Sequence, residues 1–423
     1  MNRQIKDFMS FLDQSSSRYL ASLAIVQRLE KSGFTQINEC DRLDIKPGGK
    51  YYLRRMDTAV IAFVMGENHP AETGFSLASS HIDSPALKIK PQSLKIEKGV
   101  CRVGVEVYGG PILHTWLDRE LSISGRVIVK GKKGNETHLV DLKEALAIIP
   151  NAAIHMNREI NKGFQYNAQN HLKAILSVNA TEGDPLKKLV AKHLKIQEDA
   201  ILELDLYLYD PAKATLTGLE QEMIVSGRLD NLAMTHAILS GILAVQKPKQ
   251  SSVAVFYDHE EIGSQSPQGA SSSLLSEILE RICLAQSPNR EDYYRALRRS
   301  YMISADMAHA YHPAYPEKYD PDYSPGMNMG PVIKRNANLR YASSSESSLR
   351  FIELCTQAKV NYQEFLVRSD MPCGSTVGPV VAANLGIHTV DIGNPMWAMH
   401  SIRETAGVQD HLDLIQVLSQ FFS

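Results

Sequence analysis

The sequence predicts a mixed α/β fold, a largely parallel sheet flanked by helices and interrupted by an inserted β-rich domain. Three observations lead there. After Ser226 the chain repeats strand, polar loop and helix, the pattern of a parallel sheet covered on both faces. Between about Ser93 and Leu208 it changes to short segments that alternate apolar and polar residues, as half-buried antiparallel strands do. Several apolar strands also end on a carboxylate or an imidazole, which is where open α/β sheets place their ligands.

Taken in order, residues 5–31 read as helix, with apolar positions at Phe8, Phe11, Leu12, Leu20, Leu23, Ala24 and Leu29. Residues 51–53 and 58–64 suggest a strand pair, and residues 74–80 a further strand running into His81-Ile82-Asp83-Ser84-Pro85. The alternating segments 101–108 and 121–129, with the turn signal Lys132-Lys133-Gly134-Asn135, belong to the insert. Helices are then expected at 232–245, 272–285, 345–359 and 377–385, and strands at 253–257, 301–304, 365–367 and 389–392. The domain boundaries follow: residues 1–92 and 224–423 form one domain and residues 93–223 the insert.

Composition narrows the function classes. The 423 residues carry a net charge of −2 with no long basic block, so nucleic-acid binding has no electrostatic support. No apolar run approaches the roughly 20 residues that span a bilayer, and the first residues lack the apolar core of a signal peptide. A cytoplasmic protein without membrane or nucleic-acid partners is expected. Cys40, Cys101, Cys283, Cys355 and Cys373 are scattered and odd in number, which argues against a disulfide framework or thiolate zinc site. With 14 histidines available, a metal would be held by imidazole and carboxylate, a mixture suited to Zn, Mn or Co.

The most informative stretch is Val253-Ala254-Val255-Phe256-Tyr257-Asp258-His259-Glu260-Glu261. Two adjacent carboxylates at a strand end repel each other, and a cation removes that cost. One Glu then serves as ligand and the other as general base. Other strand ends supply His81, Asp230, Asp306 and His400. Any one of them alone reads as a helix cap or a satisfied loop residue. Together, His81, Asp230, Glu261, Asp306 and His400 match the ligand demand of two cations, with Glu260 as base. Asp83, two residues after His81, is placed to fix the imidazole tautomer.

Six segments in order carry a resemblance. They are Ser80-His81-Ile82-Asp83-Ser84-Pro85, Ser226-Gly227-Arg228-Leu229-Asp230-Asn231, Asp258-His259-Glu260-Glu261-Ile262-Gly263-Ser264, Ser304-Ala305-Asp306-Met307-Ala308-His309, Asp370-Met371-Pro372-Cys373-Gly374-Ser375-Thr376-Val377-Gly378-Pro379 and Met399-His400-Ser401. The chain resembles the M18 family of metallo-aminopeptidases, best known for aspartyl aminopeptidases, over nearly its whole length. The resemblance implies a zinc-peptidase fold whose inserted domain drives dimerisation, assembled as a tetrahedral dodecamer. It implies two metals, usually Zn2+, with Co2+ or Mn2+ as alternatives. Asp230 would bridge them, His81 and Asp306 would complete one site, and Glu261 and His400 the other.

The resemblance also makes His155 a residue that reaches a neighbouring subunit's active site to stabilise an oxyanion. The residue pattern alone favours a buried structural histidine there. Lys334, in Gly330-Pro331-Val332-Ile333-Lys334, would pair with an acidic side chain at the substrate N-terminus; a lone Lys otherwise reads as solvated surface. Removal of N-terminal Asp or Glu from peptides is the leading reading. Neutral specificity, a peptide-binding or metal-storing assembly, and a thiol enzyme using Cys373 stand as alternatives. His259 is left out of the ligand set because a continuing strand would turn it away. His309 and His312 read as pocket wall, and Asp370 as a candidate contact for the substrate amine.

Overall fold

The computed structural model describes residues 2–423. Three sheets organise it. The largest runs Thr35–Gln36, Lys50–Arg55, Ala59–Val64, Ser251–Tyr257, Phe75–His81, Tyr301–Ala305, His388–Gly393, Val332–Arg335 and Gln363–Leu366. Its centre is parallel: Ser251–Tyr257, Phe75–His81, Tyr301–Ala305 and His388–Gly393 run the same way. These strands are buried along their length apart from His388 at one end. Burial along the whole strand is what strands covered on both faces show.

Separate apolar clusters pack against the two faces. One is centred on Leu229–Ala244, a helix apolar almost all round, as a fully enclosed helix must be. It packs on the C-terminal helix Val408–Phe422 through Gly241, where a Cβ would stand 3.1 Å from a Leu418 backbone carbon. The other is built on Leu274–Gln286 and Glu291–Arg299.

A second, antiparallel sheet runs Lys173–Ser177, Val100–Tyr108, Ala86–Ile89, Ile201–Tyr209, Ser122–Gly131 and Gly134–Asp141. It has its own core, including Leu87, Val103, Ile123, Val127, Val140 and Leu206. Its first strand begins at Ala86, before residue 93. The helix Pro185–Leu194 packs on it within a stretch that reads as β-rich.

A third sheet, not anticipated, joins Thr215–Thr217, Met223–Ser226, Glu404–Gly407, Pro395–Trp397 and Ala308–His309. The N-terminal helix also differs from expectation: it is two, Arg3–Gln14 and Arg18–Lys31. The break falls on Ser15-Ser16-Ser17, where the Ser15 hydroxyl donates to the Phe11 carbonyl and Ser17 is extended. Serine hydroxyls compete for helical backbone partners in this way.

Candidate metal centre

The carboxyl ends of the parallel strands bring together residues far apart in sequence. His81 closes its strand and pairs in register with Tyr257. The chain then leaves the sheet through His259, at φ 66°, into a short helical turn Glu260–Ile262 that carries the acid pair. The strand therefore does not continue through His259. Its ring is turned aside by this left-handed residue and bonds Ser266 Oγ at 2.7 Å.

Asp306 follows Tyr301–Ala305, its amide donating to the Ile392 carbonyl at 2.9 Å. Only glycine fits opposite, because a Cβ on Gly393 would lie 1.9 Å from the Asp306 carbonyl oxygen. Asp230 lies at the start of the central helix, after a cross-strand segment paired to Glu404–Gly407. His400 sits at φ 69° in the loop between Pro395–Trp397 and Glu404–Gly407, its Nδ1 3.0 Å from the Gly110 carbonyl in the loop just past the strand Val100–Tyr108.

His81 Nε2 lies 3.5 Å from Asp230 Oδ1, 3.6 Å from Asp306 Oδ1 and 3.8 Å from Glu260 Oε2. His400 Nε2 lies 3.5 Å from Asp230 Oδ2 and 3.4 Å from Glu261 Oε2. Three groupings place their ligand atoms within 4.8 Å of one another: His81, Asp230 and Asp306; Asp230, Glu261 and His400; and His81, Glu260 and Glu261. Asp230 Oδ1 and Glu261 Oε1 are buried with no hydrogen-bond partner. Buried carboxylate oxygens are ordinarily paired or metal-bound. These oxygens, with imidazole nitrogens facing them, fit divalent cations.

The electrostatics point the same way. Burial pushes the Glu260 carboxyl up to about 8, with His81 pulling it down and Asp306, Asp83 and Asp230 adding to the rise. Burial and Asp230 also raise Glu261 well above the usual range. Burial alone would lower His81, but its ion pairs with Asp230, Asp306 and Asp83 hold it well up. His400 is carried to about 10 against its burial, chiefly by Asp230 and Glu261. Protons on these groups offset the negative charge when no cation does.

Asp83 has a broader part than tautomer control. His81 Nδ1 meets the Asp83 backbone carbonyl at 3.0 Å, while the carboxylate accepts the amides of Glu260 at 3.2 Å and Glu261 at 3.1 Å. Tyr108 of the second sheet donates to the same carboxylate at 2.8 Å. Glu404 is the matching residue that the sequence reading missed. It is buried and accepts the amides of Asp230 at 3.0 Å and His400 at 2.7 Å. Its only sequence signal is a carboxylate four residues after His400.

The cluster opens into a cavity of about 290 Å³ whose wall includes Met307, His309, Lys334, Tyr341, Phe365 and Met399. Lys334 is buried rather than solvated. Its Nζ donates to the Met307 carbonyl at 3.1 Å, lies 3.9 Å from Asp306 Oδ2 and sits 5.2 Å from the Tyr341 ring centroid. His309 is in the wall as expected, whereas His312 meets Tyr315 edge-on and lies near Trp397 outside it.

Three residues fall elsewhere. Asp370 is exposed and paired with Arg368 at 2.7 Å, not in the cavity wall. Cys373 packs beside the small cluster of Ala308, Val332, Tyr341 and Phe365. His155 is exposed in a turn-rich segment and is not part of this cavity, against the buried position that the residue pattern favours.

Comparison with known proteins extends the geometry to the whole chain. The family model for aminopeptidase I zinc metalloproteases (M18) matches residues 11–422. A probable M18 family aminopeptidase 2 of Clostridium novyi is 42% identical over 432 residues, covering 100% of each chain. Among solved structures, Ape4 in its complex with Nbr1 superposes with a TM-score of 0.96 at 35% identity, over 99% of this chain and 85% of that one. The mApe1 dodecamer of S. cerevisiae gives 0.87 at 27% identity, over 99% and 95%. No described helix is long and apolar enough to cross a membrane. The strand-end carboxylates and imidazoles thus lie in a chain whose full length follows one family, and the protein belongs to the M18 zinc metallo-aminopeptidases.

Proposed function

We propose that this aminopeptidase binds two Zn2+ ions and removes N-terminal Asp or Glu from peptides. One observation carries the dinuclear reading: Asp230 turns its two carboxylate oxygens toward different imidazoles, Oδ1 to His81 and Oδ2 to His400. His81 and Asp306 would hold one ion with Asp230, and Glu261 and His400 the other; Co2+ and Mn2+ suit the same donors. The cations, when bound, supply Lewis-acid polarisation of the scissile carbonyl and lower the pKa of water.

Glu260 takes the proton of the attacking water and delivers it to the leaving amine. Asp83 holds the backbone of Glu260 and Glu261 while this happens. Lys334, at the wall of the same cavity, meets the side-chain carboxylate of the substrate's first residue. The enzyme is read as cytoplasmic.

The solved mApe1 relative is a dodecamer. We carry that assembly to this chain, with the insert 93–223 pairing subunits into dimers. In it the exposed His155 reaches a neighbour's cavity and stabilises the oxyanion. The test is a panel of aminoacyl substrates assayed after chelation and defined metal return. Acidic substrates should be turned over best, and only with metal restored. Activity that survives chelation, or a preference for Leu, would remove the corresponding half of the reading.

A further inference from the structure

Lys334 stands in a row of residues that crosses the large sheet. On one side it pairs with Phe365. On the other the strand His388–Gly393 runs antiparallel, with Ile333 opposite Ile392. One step further along, that register brings Asp391 beside Lys334. Neighbours in register point to the same face of a sheet, so Asp391 is aimed to the side on which Lys334 and Phe365 line the cavity. It does not line the cavity itself, being 0% exposed behind the wall.

The Asp391 carboxylate holds that wall in place. Thr376 Oγ1 donates to its Oδ1 at 2.7 Å, and the Ala342 amide donates to its Oδ2 at 2.5 Å. The Asp391 amide in turn donates to Ser343 Oγ at 2.9 Å. Gly378, in the helix Val377–Leu385, closes over the carboxylate: a Cβ there would lie 2.4 Å from either oxygen. Thr376 lines the cavity, as does Tyr341, the residue before Ala342, whose ring centroid is 5.2 Å from Lys334 Nζ. Two segments distant in sequence, 341–343 and 376–378, are thus tied to one carboxylate beside Lys334. An apolar side chain would fill this space at less cost, since a buried carboxylate is unfavourable unless its oxygens are used. Burial raises the Asp391 carboxyl, and Lys334 is foremost among the groups that hold it down.

We propose that Asp391 is a positioning residue for substrate selection. By fixing Tyr341 and Thr376 around Lys334, it sets how strongly the pocket prefers an acidic first residue of the peptide over an apolar one. A lysine stem is flexible, so the ammonium discriminates only when the wall around it is held. The inference rests on the reading of Lys334 as the contact for that first side chain.

The test uses the zinc-loaded protein and reads the ratio of kcat/KM for a glutamyl over a leucyl substrate. Thr376→Val removes the hydroxyl and keeps the Asp391 carboxylate. The ratio should fall by about tenfold, short of the roughly 10²-fold that a misplacement of about 1 Å can cost. Thr376→Ser retains the donor and should restore the ratio. Gly378→Ala leaves every wall residue unchanged but sets a methyl group against the carboxylate, and should lower the ratio as Thr376→Val does. Zinc content should stay at the wild-type level in all three. In an Asp391→Ala background, Thr376→Val should have no further effect, because the hydroxyl acts through Asp391. A further fall of the same size would place the hydroxyl on the substrate itself and overturn the proposal. An unaltered ratio in Thr376→Val or Gly378→Ala, or a loss that Thr376→Ser does not restore, would overturn it as well. The Thr376 variants carry the test if Asp391→Ala does not fold. A wild type that prefers leucyl substrates would overturn the reading of Lys334 along with this one. An acidic preference that the variants leave intact would overturn the role of Asp391 alone.

Discussion

Replacing Lys334 by Met should convert a preference for acidic N-terminal residues into a neutral one. Met keeps most of the stem's length and apolar character and removes the ammonium. An ion pair at about 4 Å in a protein-like dielectric of about 20 is worth roughly 4 kcal/mol. That is an upper figure, because Lys334 already lies 3.9 Å from Asp306 Oδ2 and donates to the Met307 carbonyl. The substrate carboxylate also gives up its hydration on entering the cavity. A loss of about 2–3 kcal/mol remains, in line with truncation of one partner of a buried charge pair. This corresponds to a fall of roughly 30- to 150-fold in kcat/KM for aspartyl or glutamyl substrates.

The assay is the ratio of kcat/KM for a glutamyl over a leucyl substrate, measured on wild type and variant of equal zinc content. The ratio cancels any loss common to both substrates, including one transmitted through Asp306. A ratio unchanged by Lys334→Met would refute the pairing of this lysine with the substrate side chain.

Other perturbations address the remaining roles. Glu260→Gln should retain zinc by elemental analysis while kcat falls by about 10²–10⁴, the usual worth of a positioned base. Glu404→Ala removes the acceptor of the Asp230 and His400 amides, and should weaken zinc binding by roughly 10–100-fold in a chelator competition. His155→Ala and Glu260→Gln subunits, each poorly active alone, should regain activity when dissociated and reassembled together, because each supplies what the other lacks. Failure to complement in verified mixed oligomers would place His155 outside the neighbouring site.

Burial depresses His236, despite its 3.0 Å contact with Asp7, and depresses His411 strongly. The folded protein keeps both rings neutral, whereas the unfolded chain protonates them near pH 6.5. The unfolded state therefore binds more protons below that pH, and stability falls by up to about 1.4 kcal/mol per pH unit for each ring. His411→Gln should flatten the decline between pH 6.5 and 5 in urea unfolding.

Much of the central sheet could be read locally because its strands are short apolar runs between helices with clear periodicity. Residues 345–359 read as helix and fold as Ser345–Ala358; residues 253–257 read as strand and fold as Ser251–Tyr257. The third sheet was hidden because Met223–Ser226 pairs with Glu404–Gly407, nearly two hundred positions away, and neither segment is long enough to show a period. The break between the first two helices depends on serine hydroxyls that a hydrophobic pattern does not register. At the site, residue type and strand-end position pointed to His81, Asp230, Glu261, Asp306 and His400, which lie together.

What the pattern could not give is how so many carboxylates are held in one place. Six acids crowd this edge, and two of them serve the backbone. Asp83 accepts the amides of Glu260 and Glu261, and Glu404 accepts those of Asp230 and His400. Each thereby fixes the main chain of two neighbours whose side chains face the cluster, and is partly neutralised by the same bonds. Burial, with Asp230 nearby, nevertheless raises Glu404 to about 8 against the pull of these amides. The remaining imbalance falls on Asp230, Glu260, Glu261 and Asp306 against two imidazoles and, beside Asp306, the Lys334 ammonium. Such an excess of buried negative charge calls for added positive charge, and divalent cations supply it in the form that aminopeptidase chemistry requires.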